Sequence, residues 1–111
     1  MATNKQERGT PWAVTATSAS SAVATKAAAA TGTHYITDIA GSSDKAGALL
    51  LVKQGTTVIW QVQLATTAAG MNAFQQSFQV PLAGIQNGSV SVTVDGTAAC
   101  YANIAGFTSP L

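Results

Sequence analysis

From residue 33 onward, apolar and polar side chains alternate with a period of two, the spacing of a strand with one face buried. Tyr35, Thr37 and Ile39 alternate with His34, Ile36 and Asp38; Leu50 and Val52 alternate with Leu49 and Leu51. The clearest half-buried strand is Val58, Trp60, Val62 and Leu64 against Ile59, Gln61 and Gln63. Phe74, Phe78 and Val80 share a face opposite Gln75, Ser77 and Gln79. Val90, Val92 and Val94 alternate with Ser89, Ser91 and Thr93, and Cys100, Ala102 and Ile104 with Tyr101, Asn103 and Ala105. The predicted core is Val58, Trp60, Val62, Leu64, Phe74, Phe78, Val90, Val92, Val94 and Ile104.

Turn residues punctuate these runs. Gln54-Gly55 separates two apolar segments as a hairpin does, and Asn87-Gly88 and Asp95-Gly96 accept positive φ at low cost. Gly41 to Gly47 and Thr66 to Asn72 read as polar loops. Pro81 ends the phenylalanine strand, because proline has no N–H for the ladder. Residues 13–31 are almost all Ala, Ser, Thr and Val. Ala27 to Ala30 has helix propensity, but Ser20 to Thr25 leans toward β, and Thr31-Gly32 closes the run as a turn. About eight short strands at spacings of roughly 8–12 residues predict an all-β antiparallel sandwich, of jelly-roll type. Residues 1–20 form an N-terminal arm and first strand, with residues 1–10 a polar arm; residues 21–111 form the sandwich domain.

Composition changes the picture in one respect. Only 8% of the residues are charged, against roughly 25% in ordinary soluble domains. Much of the 47% hydrophobic fraction is alanine, so the core is thin, and a thin core in a short chain gains from association. A weakly charged surface opposes self-association weakly. The net charge of +1 gives no basic footprint for nucleic acid. The longest strongly apolar run, Ala48 to Val52, is too short to span a bilayer. The first eight residues lack the apolar segment of a secretory signal, which predicts a protein made and assembled in the cytoplasm.

The chemistry-bearing residues are sparse. Cys100 is the single cysteine and His34 the single histidine, so an internal disulfide is excluded and no metal set is visible. Cys100 reads as a small buried hydrophobe. His34 reads as a surface or interface histidine sharing a face with Asp38. Trp60 reads as core, and Trp12 as an aromatic able to pack across a subunit boundary. The acids Glu7, Asp38, Asp44 and Asp95 offer no convergent pair. The chain is read as a non-enzyme that takes no cofactor, metal or small-molecule substrate.

The order of these segments resembles small virion proteins of tailed bacteriophages. The resemblance rests on Pro11-Trp12-Ala13-Val14, the Ala/Thr-rich segment Ala22 to Ala28, and the strand Gly32 to Ile39. It continues in Thr57-Val58-Ile59-Trp60, Pro81-Leu82-Ala83-Gly84 and the strand Tyr101 to Phe107, about residues 10–108 in all. It is a pattern of segments and carries no signature motif or catalytic residues. It implies a capsid decoration or cement protein on the capsid exterior, a homotrimer bound to the major capsid protein, without nucleic acid or membrane. A tail- or fibre-associated host-recognition module is the alternative. The expected contact residues are Lys5, Glu7, Arg8 and Trp12 in the arm region, and Ile36, Leu49, Leu51 and Ile59 on outer strand faces.

Overall fold

The computed structural model describes residues 9–64 and 72–110. They form eight antiparallel strands and no helix. The strands are β1 (Thr10–Ser18), β2 (Ser21–Lys26), β3 (Thr33–Ser43), β4 (Leu49–Gln54), β5 (Thr57–Gln63), β6 (Asn72–Ala83), β7 (Val90–Asp95) and β8 (Cys100–Ser109). They make two four-stranded sheets, ordered β1-β8-β3-β6 and β2-β7-β4-β5. β1 pairs with β8, β2 with β7, β3 with β6 and β4 with β5. The chain therefore runs like one long hairpin rolled up on itself, with its first and last strands side by side. The alanine run after β2 is neither strand nor helix.

The core lies between the sheets. Ala22, Ala24, Leu50, Val52, Val90, Val92 and Val94 of one sheet meet Ile36, Ile39, Cys100, Ala102 and Ile104 of the other. Leu64 is also buried, and Trp60, Val62, Phe74 and Phe78 pack half-buried against this cluster. Trp60 lies 5.5 Å from Phe78, edge to face, and 5.9 Å from Phe74. Of the predicted core, only Val58 is misplaced: it is 42% exposed.

Val58 is displaced by a bulge. Val52 pairs with Trp60 but Lys53 pairs with Val58, so Ile59 is an extra residue in β5. One extra residue reverses the face of everything beyond it. Trp60 and Val62 pair with the buried Val52 and Leu50 and turn inward with them, whereas Val58 turns outward with Lys53.

A second irregularity reorders β3. Against β8, Ile36 pairs with Gly106 and Asp38 with Ala105, leaving Thr37 unpaired. The inward residues are thus His34 and Ile36 before the bulge, and Ile39, Gly41 and Ser43 after it. His34 and Asp38 do not share a face: His34 is buried and Asp38 exposed. Ile36, expected on an outer face, is fully buried.

β6 carries a matching excursion. Its pairing to β3 jumps from Leu82 to Ser77, and Pro81 lies in the skipped stretch, where its missing N–H interrupts no ladder bond. The strand therefore continues to Ala83 instead of ending at Pro81. Val80, in the same stretch, is 83% exposed and does not share the face of Phe74.

The turns match the sequence more closely. Gly55 has φ 62° at the first position of the two-residue link between Gln54 and Thr57, the conformation a tight hairpin of the II′ kind requires. Asn87 has φ 62°. The expected loop at Gly41 to Gly47 is shorter, because β3 runs on to Ser43. The predicted loop Thr66 to Asn72 falls, except for Asn72, outside the described residues.

Candidate association surface

The outer face of the β2-β7-β4-β5 sheet gathers several of the exposed large apolar side chains among the described residues. Alternation turns Ala22 and Ala24 of β2 inward and Val23 outward, 49% exposed. On β4 it buries Leu50 and Val52 and turns out Leu49, 41% exposed, and the half-buried Leu51. The β5 bulge adds Val58 and Ile59, the latter 37% exposed. Pairing aligns Val23, Thr93, Leu51 and Gln61 in one row across the four strands. Lys53, Gln61 and Gln63 give the surface a polar surround.

Three of the expected contact residues, Leu49, Leu51 and Ile59, are brought together here. Val23 and Val58 belong to the same surface and were not among the residues expected there. A signal for Val23 exists in the sequence: it is flanked by alanines, which pack inward beside the large Val92 and Val94 of the neighbouring strand. Val58 has no such signal, since its orientation depends on the bulge. Lys5, Glu7 and Arg8 lie outside the described residues.

Trp12 packs against its own chain. It is half-buried in β1; its indole Nε1–H donates to Thr108 Oγ1 at 3.0 Å, and its ring meets His34 edge-on at 5.6 Å. Lys26 Nζ lies 5.7 Å from the Trp12 ring centre. His34, read as a surface histidine, is 1% exposed, with Nδ1 2.7 Å from Thr108 Oγ1 and Nε2 2.7 Å from the Ala27 carbonyl. Beside this cluster runs an open groove of about 570 Å³, between the start of β1, the turn at Ala29 to Gly32, and Thr108.

Cys100, Asp38 and Asp44 make hydrogen-bond contacts within the fold. Cys100 is buried, its thiol 3.4 Å from the Ser18 carbonyl. Asp38 accepts from the hydroxyls of Thr37 and Ser77 on the outer face of the other sheet. Asp44 accepts from the backbone N–H groups of Thr97 and Ala98 at 2.9 and 2.8 Å. The Thr97 amide first, with further help from Ala99 and Ala98, holds its carboxyl below the usual carboxylate range. Among the described residues, no three His, Cys, Asp or Glu side chains are grouped to hold a metal. No helix among the described residues is long and apolar enough to cross a membrane. No protein-family profile matches the chain, and no curated protein matches its sequence significantly.

Proposed function

We propose that this protein is a structural component of a tailed-bacteriophage virion, a capsid decoration or cement protein that binds the outer capsid surface as a trimer. The observation that carries this reading is the surface formed by Val23, Leu49, Leu51, Val58 and Ile59. Exposed large apolar side chains gathered on one sheet face, in a chain with so little charge, are what a contact with protein would use. The pairing of first strand with last, second with seventh, third with sixth and fourth with fifth supports assigning the sandwich to the jelly rolls, the fold that the resemblance to phage virion proteins implies. The role is mechanical. Each trimer bridges neighbouring capsid subunits, and many modest contacts over a closed shell add up through multivalency. The apolar sheet face joins the subunits, and the charged segment with Lys5, Glu7 and Arg8 contacts the major capsid protein.

Two measurements test this reading. Sedimentation at micromolar concentration should give a trimer; a monomer alone overturns the association. Removal of residues 1–8 should leave the trimer intact and abolish binding to capsids lacking the protein. The deletion stops before β1, because Trp12 is paired to Gly106 within the sheet. Unchanged occupancy by the truncated protein would move the capsid contact onto the sandwich. Protein stoichiometry in purified virions separates decoration, with hundreds of copies, from a tail- or fibre-associated module, with few.

A further inference from the structure

His34 is a buried titratable group that the association surface does not use, and its partners define its protonation. The Ala27 carbonyl can only accept a hydrogen bond, so Nε2 carries the hydrogen. In the neutral ring Nδ1 is then a bare acceptor, and Thr108 must donate its hydroxyl hydrogen to it. The same Thr108 oxygen accepts the Trp12 indole N–H. The hydrogen bonds run one way, from Trp12 through Thr108 and His34 to Ala27. They tie the start of β1 and the end of β8 to β3 and to the segment after β2.

We propose that this relay is an acid-sensitive clasp: it fixes the Trp12 indole, at the start of β1, against Thr108 while His34 is neutral and releases that side chain when His34 is protonated. A proton on Nδ1 reverses the bond to Thr108, so that this oxygen must accept from both Trp12 and His34. It also places a full charge on a ring that is 1% exposed, and a buried charge without a counterion is costly.

The surroundings supply no counterion among the described residues. Lys26 of β2, over Trp12, is the charged side chain at the cluster among the described residues, and its sign is wrong. Trp12 of β1 and Thr108 of β8 are neutral. Tyr35, the neighbour on β3, turns to the opposite face, where it stacks on Phe107 at 5.1 Å. Asp38 points outward beyond the β3 bulge, Asp44 is engaged with Thr97 and Ala98, and Asp95 lies at the far end of β7 from the Lys26–Val90 pair. Release would free the Trp12 side chain beside the groove at Thr108, while the backbone pairing of β1 with β8 stays in place.

Nitrogen NMR of the His34 ring, with hydrogen exchange of the Trp12 indole, tests the clasp in the full-length protein. At neutral pH the ring should be the Nε2–H tautomer and the Trp12 N–H protected. On acidification, His34 protonation should coincide with a fall of about tenfold or more in Trp12 protection, reported relative to free tryptophan at the same pH, while Val92 in the core stays protected. Thr108→Val should remove Trp12 protection already at neutral pH, and His34→Gln should abolish the acid step. An Nδ1–H tautomer at neutral pH, or Trp12 protection unchanged once His34 is doubly protonated, overturns the proposal. So does an acid step that persists in a folded His34→Gln protein. None of these readouts depends on the oligomeric state or on capsid binding.

Discussion

At the residue scale, size decides which side of a strand a residue occupies as much as polarity does. Ala22 and Ala24 fill the space left by Val92 and Val94, so the larger Val23 is turned out. Gly106 shows the same constraint at its limit. It lies between Trp12 and Ile36 in the ladder, and a Cβ there would overlap the Tyr35 carbonyl. Gly106→Ala should lower stability by at least about 2 kcal/mol, since a backbone cannot yield as a flexible side chain can. Urea unfolding with an unchanged slope would measure this, and a neutral result would contradict the packing at the β1-β8-β3 junction. Trp60 is the largest side chain in its cluster and is half-buried between Phe74 and Phe78. Trp60→Ala should cost about 3 kcal/mol, the lower end for tryptophan truncations because part of the ring already meets solvent. A loss below about 1 kcal/mol would mean that the three rings do not form a cooperative unit.

At the scale of elements, the bulges and one carboxylate do most to shape the strands and their connections. Thr37 and Ile59 each insert one residue and reverse the exposure of the residues beyond them. The link between β7 and β8 is held by Asp44, which takes two backbone hydrogens of that link while its own N–H donates to the Ala99 carbonyl. A carboxyl whose folded pKa is depressed stabilises fully above its unfolded value, and the contribution is lost as pH falls through the folded value. Protection of the Thr97 and Ala98 amides should therefore persist below the ordinary carboxylate range and then disappear. Asp44→Asn should weaken it at neutral pH. Amide exchange on both residues is the measurement, and identical profiles in the two proteins would remove Asp44 from the account. The site is solvent-exposed, so the effect is local and the global unfolding midpoint should move little.

For the whole molecule, the question is what covers the outer face of the β2-β7-β4-β5 sheet. Leu51 is at its centre in the row with Val23, Thr93 and Gln61, and its side chain takes no part in the buried core. Leu51→Lys should leave the monomer fold and its thermal transition nearly unchanged at low concentration, while abolishing the association predicted for the parent protein. Light scattering after size exclusion would show the change in mass. A Leu51→Lys protein that associates like the parent would place the subunit contact elsewhere, with the exposed Val80 and Ile85 the next residues to substitute.

Alternation along the chain by itself determined the all-β class, the β4–β5 hairpin, and the buried faces of β7 and β8, where Val90, Val92 and Val94 and then Cys100, Ala102 and Ile104 all turn inward. These strands are regular, and period two is a local property that any one strand displays. Part of the outer face was legible for the same reason: once Leu50 and Val52 are inside, Leu49 and Leu51 are outside. Only the tertiary structure decided the faces of Val58, Ile36 and Ile39, because a bulge is a one-residue change of phase imposed by the neighbouring strand. The continuation of β6 past Pro81 has a similar origin, since a proline ends a strand only where the partner needs its N–H. His34 is the sharpest case. An isolated histidine in a strand reads as a surface residue, and what buries it is a pair of partners, Ala27 and Thr108, brought together from either side of it in the sequence. Their convergence exists only after β3 and β8 lie side by side and the sheet that holds β2 has packed against them.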